Sequence, residues 1–304
     1  MTGNYRPEGQ AARSDYTLEE LQSAQRTGQI LEARAAYCDP QYNLVVALGA
    51  LQGFMPREEC AVGIADGSVK NIAIITRVGR SVCFQVTGIE GDTALLSRRA
   101  AQALFARDVL RHLRPGDIID CVVTRLAGFG AFVDVGCGVV SLITIDNISV
   151  SRIAHPSDRF SEGQPLRAVV KNFDRETGRL FLSHKELLGT WEQNIARFEV
   201  GQTVPGIVRS IEPYGIFVEL TPNLAGLAEY QEGLQVGDVA VVYIKSILPD
   251  KMKLKLVIAD HFRSREAPIQ LHYYETGNRI EAWRYSPESC PRVVESLFSS
   301  ETTP

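Results

Sequence analysis

Apolar residues in this chain recur at every second position, in short runs separated by Gly, Pro, Asn and Asp. Period-two alternation with that punctuation predicts short, half-buried strands. Helical spacing interrupts the strands in a few places. In "TLEELQSAQRTG", Thr17 is followed three residues later by Glu20, a capping box, and the stretch ends at Gly28. "SRRAAQALFARDVLRHL" and "SHKELLGTWEQNIARF" also predict helices, each after a strand run. Near the end, "CPRVVESLF" predicts a short helix with Pro291 in its first turn.

The pattern repeats. "GQILEARAAY" at Gly28, "GDIIDCVVTR" at Gly116 and "GQTVPGIVRS" at Gly201 begin alike, 88 and then 85 residues apart. A second glycine start recurs at Gly79, Gly163 and Gly237, each followed by an apolar, β-branched run. Closing strands follow, reading "TALLSRR", "GRLFLSHK" and "MKLKLVI". Agreement at start, middle and end makes this a triplication. Each unit reads as about five short strands, which suits a small closed barrel with no open sheet edge.

Within units two and three, aromatic residues recur at fixed offsets. Phe129 and Tyr214 each lie 13 residues after the opening glycine, and Phe132 and Phe217 lie 16 after it. Side chains alternate across a strand. In Phe132–Val133–Asp134–Val135, burying the valines places Phe132 on the same face as Asp134. In Ile216–Phe217–Val218–Glu219–Leu220, burying the aliphatics places Phe217 beside Glu219. A one-residue slip would turn both acids inward, so the register is set, with the acids expected in water. Paired rings on a wet barrel face form a platform on which bases stack, at about 1–3 kcal/mol per base. Single-stranded RNA, with splayed bases, is the matching partner.

Composition narrows this picture. The chain has 304 residues, 45% hydrophobic and 22% charged, which predicts a folded protein with room for two or three ordinary domains. No apolar run nears the roughly 18 residues of a membrane helix, and the polar start lacks a signal core. Six dispersed cysteines without a C-x-x-C pair predict free thiols in a reducing cytoplasm, with no metal site and no cofactor. No G-x-S-x-G, H-E-x-x-H or Walker-type loop frames a catalytic group, so no enzyme is expected. The net charge of −4 excludes coating a duplex by charge alone. Residues 115–190 hold eight Arg/Lys against nine Asp/Glu, and residues 200–260 hold five against seven, nets of −1 and −2. Such units bind weakly one at a time and gain from being linked in tandem. In "SVSRIAHPSDRF", an excursion between strands three and four of unit two, Arg152, His155 and Arg159 are candidates to touch phosphate, or form a solvated loop.

The units resemble S1-type RNA-binding repeats, the five-stranded OB-fold barrels of bacterial ribosomal protein S1. "GDIIDCVVTRLAGFGAFVDVGCGVVSLITIDNIS" with "GQPLRAVVKNFDRETGRLFLSHKE" carries the resemblance across almost all of unit two. The third copy matches at "GLAEY" and "KLKLVI", and the first at "GFMPREE" and "LLSRR". The resemblance covers roughly residues 28 to 260 and implies non-catalytic RNA binding linked to translation. By that resemblance the RNA face of unit two comprises Phe129, Phe132, Asp174 and Arg179, with Thr144 where the family carries a histidine. Unit three offers Tyr214, Phe217, Lys253 and Lys255, with Glu229 at the histidine position. Unit one has Tyr42, but Val45 for the second ring, Pro56 for the histidine and Thr93 for the base, so it is degenerate and expected to dock on protein.

The expected architecture is mainly β: three tandem five-stranded OB-fold barrels with linking helices and a short C-terminal helical tail. The expected divisions are a leader helix over 1–27, a degenerate repeat with linker helix over 28–108, a second repeat with linker helix over 109–197, a third repeat over 198–262, and a tail over 263–304 packing on the third. The expected partners are single-stranded mRNA or rRNA and the small ribosomal subunit, with no membrane. The alternative is a protein-docking adaptor with little RNA binding of its own.

Overall fold

The computed structural model of the chain describes residues 5–174, 179–263 and 271–298. Helix α1 (Leu18–Thr27) begins on the expected box. The Thr17 hydroxyl accepts from the Glu20 amide, the Glu20 carboxylate accepts from the Thr17 amide, and Gly28 ends the helix at φ 68°. Strands β1 (Leu31–Cys38), β2 (Leu44–Ala47) and β3 (Gln52–Met55) follow. A short helix α2 (Ile72–Ile75) leads to β4 (Ser81–Glu90) and β5 (Thr93–Ser97), and α3 (Arg98–Asp108) ends the first repeat.

The second repeat comprises β6 (Ile118–Ala127), β7 (Gly130–Asp134), β8 (Val140–Thr144), β9 (Pro165–Asp174) and β10 (Arg179–Ser183). Helix α4 (Trp191–Ile195) precedes the third: β11 (Thr203–Glu212), β12 (Gly215–Thr221), β13 (Leu224–Ala228), β14 (Val239–Leu248) and β15 (Lys253–Phe262). Each set closes into a barrel. The cyclic orders are β1-β2-β3-β5-β4, β6-β7-β8-β10-β9 and β11-β12-β13-β15-β14, the same path three times. In each, the third and fifth strands run parallel (β3 with β5, β8 with β10, β13 with β15) and so close the ring. Closure removes the sheet edges that period-two strands would otherwise leave open.

The chain forms two compact units: Met1–Leu113 with Asp134–Val140, and Arg114–Val133 with Ser141–Pro304. In the first, Leu44, Val46, Met55, Phe84 and Leu96 fill the barrel, and α1 lays Leu21 and Ala24 onto it. In the second, the third barrel is filled by Val208, Ile216, Val218, Val242, Ile244, Leu254 and Leu256, and Trp191 of α4 joins that core. Among the described residues, no helix is long and apolar enough to cross a membrane.

Two helix expectations are corrected. The predicted helix in "CPRVVESLF" is instead β17 (Glu295–Leu297), paired antiparallel with β16 (Ala282–Arg284). Packing overrides the local signal. Phe298 is buried against Ile118, Val169 and Leu187 of the second repeat, and Val294 packs on the third barrel's core. Extended, residues four apart reach about 13 Å along the chain, whereas a helix would hold them within about 6 Å. The stretch "SHKELLGTWEQNIARF" breaks at Gly189, φ 83°, into a 3₁₀ turn (Lys185–Leu188) and α4. A Cβ at Gly189 would lie 2.5 Å from the Tyr274 ring. The tail touches more than the third barrel: Trp283 and Tyr285 join that core, while Tyr273 and Ile280 pack with Phe298 on the second repeat.

Candidate nucleic-acid interface

The aromatic–glycine pairs that mark repeats two and three have a packing cause. A Cβ on Gly130 would sit 2.4 Å from the Ile143 carbonyl oxygen, and one on Gly215 would sit 2.4 Å from the Ala228 carbonyl oxygen. Glycine lets the second strand of each barrel close on the third. The residue before it stands at the strand entry, outside the barrel. Phe129 is accordingly 58% exposed and Tyr214 69%. Three residues on, Phe132 and Phe217 are half-buried between buried neighbours, Ala131 and Val133 or Ile216 and Val218. Each pair meets edge to face, Phe129–Phe132 at 5.8 Å between centroids and Tyr214–Phe217 at 6.2 Å. Such contacts hold the rings in fixed orientations.

Thr144 ends β8 beside the first pair, since the next amide, Ile145, donates to the Phe129 carbonyl at 2.9 Å. Its hydroxyl donates to Asp146 and accepts from the Asn147 amide. Asp174 and Arg179 face each other across the β9–β10 ladder. Lys253 and Lys255 are exposed on β15, alternating with buried Leu254 and Leu256. Lys255 belongs to the ring face of barrel three: Phe217 pairs with Leu227, and Leu227 pairs with Lys255. Strands lie about 4.8 Å apart, so that row spans about 10 Å. The sequence reading missed the equivalent residue of barrel two. Phe181 pairs with Leu142 as Lys255 pairs with Leu227, and it is 39% exposed. The signal was present in "RLFLS", where Leu180 and Leu182 are buried and parity turns Phe181 outward.

In the first repeat Tyr42 lies in the β1–β2 turn at φ 67°. Val45 is buried, between Tyr37 and Phe54 in the ladder. Tyr37 is exposed, but among the described residues no edge-to-face ring pair like those of the other two repeats forms there.

Three charged side chains are not where the sequence put them. Asp134, expected in water, is 2% exposed. Its carboxylate accepts amides of Glu8, Gly136 and Gly138, at 2.8, 2.8 and 3.1 Å. Burial, with the nearby Glu8 carboxylate, pushes its pKa up to about 7. Glu219, also expected in water, is fully buried between two guanidinium groups. Arg159 bonds one carboxylate oxygen, and Arg209 Nε donates to the same oxygen at 3.0 Å. Arg159, a candidate phosphate contact, is therefore spent inside the protein, where its Nε also donates to Ser149 Oγ at 3.3 Å. Parity was right for both acids: they lie outside the barrel cores. What covers them comes from distant sequence. His155 caps the turn at Pro156–Asp158, and Arg152 is exposed.

Beside Tyr214 and Phe217 lies a cavity of about 560 Å³. The excursion contributes Arg152 to its wall, α4 contributes Trp191, and the tail contributes Tyr285 and Arg292. Nothing local in "CPRVV" signalled Arg292. Among the described residues, no group of three or more His, Cys, Asp or Glu side chains could hold a metal ion.

The chain is similar in sequence to a known domain family and to bacterial ribosomal proteins. The S1 RNA binding domain family matches residues 112–185, the second barrel. The chain is 28% identical over 257 residues to the small ribosomal subunit protein bS1 homolog of Bacillus subtilis, covering 82% of this chain and 64% of that protein. It is 30% identical over 231 residues to the small ribosomal subunit protein bS1 of Leuconostoc lactis, covering 70% and 52%. The chain thus spans about half to two thirds of the length of these relatives. Among solved structures, a multidomain protein with nucleic acid binding domains from Streptococcus pneumoniae aligns over 76% of this chain and 73% of its own, at 14% identity and a TM-score of 0.24.

Proposed function

For a chain whose second barrel is an S1 RNA binding domain and whose length is largely related to bacterial ribosomal protein bS1, we propose a cytoplasmic function in binding single-stranded RNA during translation. The observation that carries this reading is the pair of edge-to-face aromatic platforms at equivalent strands, Phe129–Phe132 and Tyr214–Phe217. Bases stack on those rings. Thr144, Asp174, Arg179 and Phe181 extend the face of the second barrel, and Lys253 and Lys255 that of the third. Each barrel carries no net positive charge, so stacking supplies most of the affinity and linkage of two faces multiplies it.

The test is a polarisation titration of a fluorescein-labelled single-stranded oligoribonucleotide with wild type and Phe132→Ala/Phe217→Ala. Loss of one ring per face, at about 1–3 kcal/mol per stacked base, weakens binding tenfold or more. Affinity within twofold of wild type would refute it. The first barrel is assigned a docking role with the small ribosomal subunit. Its ring position is the buried Val45, and α2 exposes Ile72 and Ile75. Co-sedimentation with small subunits should therefore survive the double substitution.

A further inference from the structure

The cavity beside Tyr214 and Phe217 has walls that a flat stacking face lacks. We propose that it is a nucleotide pocket, in which one nucleotide of a bound strand stacks its base on the Tyr214–Phe217 pair and sets its phosphate between Arg152 and Arg292. This rests on the reading of the third barrel as a single-strand face.

Size, wall chemistry and charge agree. A cavity of about 560 Å³ falls in the roughly 300–1,000 Å³ range of small-molecule sites, enough for one nucleotide and too little for a run of several. Trp191 and Tyr285 back the wall behind the two rings, both buried in the third barrel's core. Arg209 also lines the cavity but is committed, its guanidinium lying against Glu219 and 3.5 Å from Asp158. Arg152 and Arg292 differ: both are exposed, and neither makes a hydrogen bond or ion pair among the described residues. The carboxylate on the wall left without an arginine partner is Glu212. Two free guanidinium groups against Glu212 leave a single positive charge, the complement of one phosphodiester. Guanidinium forks match phosphate oxygens in geometry as well as charge. The arginines stand on the excursion of repeat two and on the tail, so the tail becomes part of the ligand site.

The experiment titrates fluorescein-labelled hexa-adenylate and hexa-uridylate into the full chain at several salt concentrations. The proteins are wild type, Arg152→Ala/Arg292→Ala, and Phe129→Ala/Phe132→Ala as a control on the second barrel. Both arginines are exposed, so that variant folds. It is expected to bind about tenfold more weakly, with the slope of log K against log salt reduced by about 0.7, one phosphate contact on a single strand. Millimolar adenosine monophosphate should not displace the strand from wild type; displacement at micromolar levels would overturn the strand as occupant. If wild type and Phe129→Ala/Phe132→Ala differ while the arginine variant matches wild type in affinity and slope, the pocket is overturned and the broader reading stands. If wild type binds neither strand, both fall.

Discussion

Glu219 sits at the most charge-dense buried point of the second unit, and neutralising it gives the sharpest test of how the second and third repeats are joined there. The carboxylate is fully buried, Arg159 is 1% exposed and Arg209 8%. Two unit charges about 4 Å apart at an effective dielectric of 20 attract by about 4 kcal/mol. Glu219→Gln keeps the shape, removes two such attractions and leaves two guanidinium groups facing each other. Part of that loss is offset because a neutral amide is easier to bury. Breaking a buried pair from one side costs about 3–5 kcal/mol, and that is the expected destabilisation. Arg159→Met should cost less, about 1–2 kcal/mol, because Arg209 still neutralises Glu219 at 3.0 Å. The double variant should be more stable than Glu219→Gln alone, since removing Arg159 relieves the repulsion that substitution creates. Urea unfolding followed by tryptophan emission reads this cleanly. The two tryptophans, Trp191 and Trp283, both lie in the second unit and are both buried in the core of the third barrel. A Glu219→Gln protein within 1 kcal/mol of wild type, or an Arg159→Met protein equally destabilised, would refute the argument.

Other expectations follow from single sites. Gly130→Ala and Gly215→Ala each press a methyl against a carbonyl oxygen 2.4 Å away, so each should lose about 1–3 kcal/mol or more in urea unfolding; no change would mean the strands can separate without cost. His184 is wholly buried, in contact with Phe160 and Tyr273, with Nδ1 bonded to the Ile148 carbonyl at 3.0 Å. Burial pushes its pKa down to about 4. A lowered folded-state pKa means the unfolded chain binds the proton more readily. The stability this site contributes is present above pH 6.5 and is lost as pH falls toward 4, by about 3 kcal/mol in all. His184→Gln should flatten that part of the stability profile, and an unchanged profile would count against it. Of the six cysteines, Cys38 is half-buried and the rest are buried, with Cys60 pushed up to about 12 by burial. A thiol reagent should modify at most one thiol in the native protein and six in urea; rapid reaction of several would contradict the packing described.

The barrels were legible because their signals are local. Alternation of Val133 and Val135, or of Ile216, Val218 and Leu220, needs only neighbouring residues to specify which way Phe132 and Phe217 face. The cap of α1 lies within four residues. The same holds for Phe181, which could have been found by extending parity to the closing strand. Asp134 and Glu219 show where this stops. Their outward direction followed from parity, but their burial depends on Glu8, 126 residues from Asp134, and on Arg159, 60 residues from Glu219. The tail shows the converse, because helix-forming residues at Pro291–Phe298 yielded to a strand that places Val294 and Phe298 on two apolar surfaces.

By itself, then, the sequence determined the triplication, the five-stranded units and the two outward ring pairs, since each rests on spacing along one strand or between repeats. Tertiary structure alone decided which charges are free and which are spent, and it built the cavity that unites Arg152, Tyr214 and Arg292. Those residues are separated by scores of positions, and only the closed barrels and the returning tail bring them to one place. An electrostatic role is a property of neighbours in space, which no periodicity along the chain encodes.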